Sequence, residues 1–116
     1  MFTKDMKISL LLDFYGETLS ERRREIMELY YNDDLSLSEI AELKGISRQG
    51  VRDSIKKSEA ELDELESKLG LAARFESLKG EVDKIASLLS MASAMSDGDA
   101  KGLIDESIKK LNGLDI

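Results

Sequence analysis

Apolar residues recur at helical spacing along almost the whole chain. Ile8, Leu11, Leu12 and Tyr15 line one face of a helix predicted over residues 7–15, which Gly16 closes. Ser20 precedes a second run, Ile26, Met27, Leu29, Tyr30 and Tyr31. Its hydroxyl can cap that helix, and Glu21 and Glu25 suit the positive end of the helix dipole. Asn32, Asp33 and Asp34 break the pattern. The stretch Ser36, Leu37, Ser38, Glu39 then has capping-box spacing. It predicts a short third helix with Leu37, Ile40, Ala41 and Leu43 turned inward. Gly45, free to take a positive φ, ends it, and Ile46 anchors the turn in the core. Ser47 can cap a fourth helix that presents Val51 and Ile55 to the core and leaves Arg48, Gln49, Arg52, Lys56 and Lys57 on its other faces.

No breaker follows until Gly70, and Val51, Ile55, Ser58, Leu62, Leu65 and Leu69 alternate steps of four and three. One long helix over 48–69 is expected, its second half projecting beyond the small bundle. After Gly70, the positions Leu71, Phe75, Leu78, Val82, Ile85 and Leu89 keep the same spacing, weakened but not ended by Gly80. A turn around 96–99 precedes a last amphipathic helix with Leu103, Ile104, Ile108 and Leu111, which frays at Asn112 and Gly113. The fold class is therefore all-α. A helix-turn-helix domain over 1–58, sigma region 4-like in kind (a winged-helix-like or three-to-four-helix bundle), carries a long amphipathic extension over 59–116. Leu62, Leu65, Leu69, Phe75, Leu78, Val82, Ile85 and Leu89 form the expected dimerisation seam. A seam of this kind can pair with a second chain or fold back on the same one. The small N-terminal core and the long apolar C-terminal half favour a homodimer.

Composition narrows the chemistry. The 116 residues include no histidine, cysteine, proline or tryptophan. Without cysteine there is no disulfide, thiolate metal site or thiol nucleophile, and without histidine the usual general base and zinc ligand are missing. No loop has EF-hand spacing and no carboxylate pair stands out, so no enzyme, metal or cofactor is expected. Residues 1–9 lack a signal-peptide core and no later run approaches a membrane span, which predicts a soluble, cytoplasmic protein. The formal charge is −7, unevenly spread: residues 1–57 hold 11 acids and 10 bases, residues 58–116 hold 13 acids and seven bases. Most of the acidity lies behind the half expected to meet nucleic acid.

A helix that starts at a capped serine after a glycine turn can offer its first residues to a DNA major groove. Arg48 suits guanine, Gln49 suits adenine, and Arg52 follows one turn later. Lys56, Lys57 and the cap residue Ser36 are better placed for phosphates. The run Arg22, Arg23, Arg24 could touch a phosphate backbone, but arginines flanked by Glu21 and Glu25 more commonly form a solvated, locally paired face. Tyr15, Tyr30 and Tyr31 could stack on RNA bases; their spacing reads better as bundle core or rim.

Three segments carry a family resemblance: Leu11 to Gly16, Glu28 to Glu42, and Ser47 to Glu59. Together they resemble the bacterial YlxM family over roughly residues 7–70. The resemblance implies a sigma-region-4-like helix-turn-helix with a helical extension and no catalytic residues. It also implies a nucleic-acid role for Ser47, Arg48, Gln49 and Arg52, and a link, through gene neighbourhood, to signal recognition particle components. Two positions depart from the family pattern: Lys44 stands where the residue before the turn glycine is usually apolar, and Arg52 where tyrosine is common. Two functions follow as expectations, a regulatory or accessory protein that binds DNA (or RNA), and a module that docks on the particle's protein or RNA.

Overall fold

The helix starts are set by short polar side chains that stand in for missing backbone partners. A computed structural model describes residues 4–116, so Met1–Thr3, part of the expected non-signal start, lie outside it. Asp5 caps α1 (Met6–Tyr15), Ser20 caps α2 (Glu21–Tyr31), Ser36 caps α3 (Leu37–Lys44) and Ser47 caps α4 (Arg48–Leu69). Each accepts a hydrogen bond from a first-turn amide of its helix, satisfying a donor that the helix itself leaves open. Then come α5 (Leu71–Ala94) and α6 (Gly98–Asn112). A 3₁₀ turn, Gly16–Thr18, joins α1 to α2. Among the described residues there is no β-strand, so the bundle is formed without a wing.

The chain divides into two compact units, Met1–Ala72 and Ala73–Ile116. In the first, α1, α2 and α3 all pack on α4. Ile8, Leu11, Leu12 and Tyr15 of α1 meet Ile26, Met27, Tyr30 and Tyr31 of α2, Leu37, Ile40 and Ala41 of α3, and Val51, Ile55 and Leu62 of α4 in one core. Both tight stops are left-handed glycines, Gly45 at φ 67° and Gly70 at φ 64°.

Two expectations change here. Leu43 is 64% exposed, because Leu37, Ile40, Ala41 and Lys44 form the inward row of α3. Lys44 therefore lies half-buried on that row and sends its ammonium to the Glu25 carboxylate of α2. The second half of α4 does not project either. Leu62 is fully buried, Leu65 packs against the core, and Tyr15 Oη donates to Glu66 Oε1 at 2.7 Å. The same Glu66 oxygen accepts from Ala72 N at 3.0 Å, and Tyr15 Oη accepts from Leu71 N at 3.1 Å, so the first amides of α5 are capped from α4 and α1.

The second unit is two helices joined by a turn. Ser93 near the end of α5 is buried, and its hydroxyl donates to Asp105 Oδ1 of α6. Lys101 Nζ donates to the Ser93 carbonyl at 3.1 Å and to its Oγ at 3.0 Å. No apolar side chain of this unit is buried: Leu78, Ile85, Leu88, Met91 and Leu103 are exposed, and Phe75, Val82 and Leu89 are half-buried.

Candidate nucleic-acid interface

The candidate interface is built by the two helices on either side of Gly45. Ser36 and Glu39 close a full capping box, Ser36 Oγ accepting from Glu39 N at 3.1 Å and Ser36 N donating to Glu39 Oε1 at 3.0 Å. These bonds, with the Ser36 amide first, hold the Glu39 carboxyl below its ordinary pKa. At the end of α3 the amides of Gly45 and Ile46 both reach back to the Ala41 carbonyl, the latter at 3.1 Å. Ser47 Oγ accepts from Gly50 N at 2.9 Å and starts α4. A Cβ at Gly50 would lie 3.1 Å from that same Oγ, so a glycine in the first turn leaves the cap room to close.

The α4 faces divide cleanly. Val51, Ile55, Ser58 and Leu62 point to the core, while Arg48, Gln49, Asp53, Lys56 and Lys57 are exposed and Arg52 is half-buried. Among the described residues no carboxylate pairs with Arg48, Lys56 or Lys57. Several other bases of this unit are engaged inside it, whereas Lys7 on α1 and Arg22 on α2 are exposed. Arg23 Nε donates to the buried Ser58 Oγ at 3.1 Å and its Nη1 to Glu61 Oε1 at 3.0 Å. Arg24 pairs with Glu28, Lys44 with Glu25, and Lys4 with Asp34 while lying over the Tyr30 ring. Of the Arg22, Arg23, Arg24 run, Arg23 and Arg24 are thus paired within the unit, with Glu61 and Glu28 rather than with the flanking Glu21 and Glu25, and Arg22 is exposed.

Charge is segregated along the same helix. Residues 48–57 carry four bases and one acid, residues 58–69 five acids and one base. Four of those acids are bonded inside the unit: Glu59 accepts from the Tyr31 hydroxyl, Glu61 from Arg23 and Glu66 from Tyr15, and Glu64 pairs with Lys68 one turn on. The basic half sits at the positive end of the helix dipole and the acidic half toward the negative end, so the two fields reinforce each other.

The predicted site residues are therefore partly brought together. Arg48, Gln49, Arg52, Lys56 and Lys57 share one stretch of α4. Ser36 and Ser47, exposed at two helix starts, already have their oxygens engaged as caps. Tyr15, Tyr30 and Tyr31 are buried, which places them in the core and away from any stacked base. Of the expected dimer seam, Leu62 and Leu65 are covered within the first unit, whereas Leu69, Leu78 and Ile85 are exposed. Asp53 was not among the expected contacts. Its i,i+4 spacing from Gln49 was the available signal.

Helices α3 and α4, joined at Gly45 and packed on α1 and α2, define the chain as a helix-turn-helix protein. The family model described as "Putative helix-turn-helix protein, YlxM / p13 like", UPF0122, matches residues 2–99. The chain belongs to this family. A UPF0122 protein of Acetivibrio thermocellus is 46% identical over 112 residues, covering 93% of this chain and 96% of that one. Another, from Bacillus mycoides, is 42% identical over 112 residues, covering 97% of this chain and all of its own. A third, from Thermoanaerobacter sp. strain X514, is 50% identical over 78 residues, 67% of each chain. Among the described residues no helix is long and apolar enough to cross a membrane.

Proposed function

We propose that this protein is a non-enzymatic, cytoplasmic regulatory or accessory protein that binds duplex DNA through the first half of α4 and pairs with a second copy through residues 73–116. The observation that supports DNA binding is the set of exposed cations, Arg48, Lys56 and Lys57, left without carboxylate partners on a helix that begins at a turn glycine. Elsewhere in the unit Lys4, Arg23, Arg24 and Lys44 are each paired, and the exposed Lys7 and Arg22 stand singly on α1 and α2 rather than clustered on one helix. Arg48 and Gln49 at the helix start address base edges, Arg52 lies one turn on, and Lys56 and Lys57 address phosphates. Ser36 and Ser47 place two helix starts beside the same backbone.

Pairing is supported by the lack of any buried apolar side chain in residues 73–116. Two helices enclose no core of their own, and a unit this short needs another surface. Its charge is nearly balanced, eight acids to six bases, so a second copy is not repelled. Docking on the signal recognition particle's protein or RNA drew its support from an acidic C-terminal half. Five of those acids instead sit at residues 59–66 of the first unit, four of them engaged internally, which favours DNA.

Fluorescence anisotropy of labelled genomic duplexes and of the particle RNA, each at two salt concentrations, tests the reading. Duplex affinity is expected to fall steeply with salt. Arg48→Ala is expected to cost about 1–3 kcal/mol on a preferred site and less on bulk DNA. A salt-insensitive complex, or unchanged affinity in Arg48→Ala, sinks DNA binding. Light scattering that gives a monomer at micromolar concentration sinks pairing.

A further inference from the structure

The outward face of α4 carries one group that does not belong on a surface meant only to attract phosphate. At about 100° per residue, Gln49, Asp53, Lys56 and Ala60 run along the side opposite Val51, Ile55, Ser58 and Leu62. Asp53 is in the middle of that line and exposed. Its Oδ1 accepts from the neutral amide of Gln49, Nε2 to Oδ1 2.8 Å, one turn earlier. A carboxylate here opposes Arg48, Arg52, Lys56 and Lys57 in attracting a polyanion, and it spends its hydrogen bond on orienting a side chain of the reading edge.

Resting on the duplex-DNA reading above, we propose that Asp53 sets base preference: the Gln49 and Asp53 pair forms an acceptor-rich edge that selects a base presenting an exocyclic amino group, cytosine or adenine, and rejects guanine and thymine at that step. An ionised carboxylate only accepts hydrogen bonds. With Oδ1 holding Gln49, Oδ2 remains for a donor from the DNA. In the major groove cytosine N4 and adenine N6 are donors, while guanine O6 and N7 and thymine O4 are acceptors that would face a negative oxygen. The same bond fixes the Gln49 amide, so its free oxygen adds a second acceptor. An A-form RNA major groove is too deep and narrow for this edge, which makes B-form DNA the fitting partner.

The test is selection from a random-sequence duplex pool with the full chain, using the natural protein, Asp53→Ala and Asp53→Asn, and sequencing the bound fractions. Affinity for one mixed-sequence duplex is measured alongside. Asp53 is exposed, and matching circular dichroism melts confirm that the variants fold. The expected result is that the natural protein enriches cytosine or adenine by about fivefold at one position, the value of about 1 kcal/mol of discrimination. Both variants lose that enrichment, keep the other positions, and bind the mixed duplex more tightly because a negative charge is gone. Uniformly tighter binding with an unchanged motif overturns the inference, since Asp53 would then act as a charge alone. Loss of a guanine or thymine preference overturns it too. If the natural protein enriches nothing and binds no duplex at low salt, all three pools are flat, and the DNA reading itself fails.

Discussion

Residues 4–72 and residues 73–116 are both helical and both amphipathic, yet only the first unit encloses its apolar side chains. Among the described residues all sixteen buried hydrophobic ones, from Ile8 to Ala72, belong to it. The second unit leaves Leu78, Ile85, Leu88, Met91 and Leu103 exposed at 45–67%. The contrast follows from helix number. Three helices laid on α4 surround its core face on several sides, whereas a pair of helices covers only the strip where they touch. The polar groups divide in the same way. In the first unit long-range bonds such as Arg23 to Ser58, Tyr31 to Glu59 and Tyr15 to Glu66 tie helices together. In the second, the long-range bonds gather at Ser93, beside the turn. The first unit thus buries its own apolar side chains, while the second leaves an apolar surface uncovered, which is the division that the proposed function uses.

The largest effect that can break this comparison is a cavity. Leu62→Ala, deep in the first unit, is expected to cost about 3 kcal/mol. Ile85→Ala, on the exposed strip of α5, should leave the first unit's transition where it is and shift the scattering mass toward monomer. Urea unfolding followed by tyrosine fluorescence reads the first unit alone, because the three tyrosines are Tyr15, Tyr30 and Tyr31 and the chain has no tryptophan. Equal losses in the two variants would show that the units fold as one and remove the distinction.

Alkaline pH should separate the units next. Burial pushes the Tyr15 hydroxyl above its ordinary value, and its bond to Glu66 adds to the shift. Burial followed by the Glu59 bond raises Tyr31, and burial raises Tyr30. Each folded pKa exceeds the unfolded value of about 10. The stabilisation is therefore fully present below pH 10 and is lost as pH rises through the folded values. The first unit should lose stability above about pH 10, and Tyr31→Phe should flatten that limb. A melting curve for Tyr31→Phe that falls as steeply as the natural protein's over this range would refute the assignment.

Local signals were legible in the sequence, and distant pairings were not. Ser20, Ser36 and Ser47 act as caps, Gly45 turns left-handed, and α4 spans 48–69, because each depends on neighbours within a few residues. Where α4 ends its packing depends on Tyr15 meeting Glu66, 51 positions away, and periodicity carries no trace of that. Hence Leu62 and Leu65, which fit a dimer seam by spacing, belong to the core. Lys44 illustrates the same limit at shorter range. Its place on the inward row of α3 was visible by counting from Leu37, but only Glu25 on the next helix makes a lysine acceptable there. The basic half of α4 is legible from residue types alone, whereas the lack of a carboxylate partner for Arg48, Lys56 and Lys57 among the described residues, and the pairing of Arg23 and Lys44 with other helices, depend on how the helices pack.

The smallest predicted effects are a pair of glycine substitutions with opposite signs. Gly45 has φ 67° and no neighbour that a Cβ would strike, so Gly45→Ala costs only the backbone strain of a left-handed alanine, about 1 kcal/mol, and lowers the tyrosine-detected transition. Gly80 lies inside α5 with open space around it, and Gly80→Ala should strengthen that helix by roughly 0.5–1 kcal/mol. Circular dichroism should register the gain while the tyrosine signal stays still. If Gly80→Ala moved the tyrosine transition as well, helix formation in α5 would be coupled to the first unit's core, and the two regions would differ in packing without differing in autonomy.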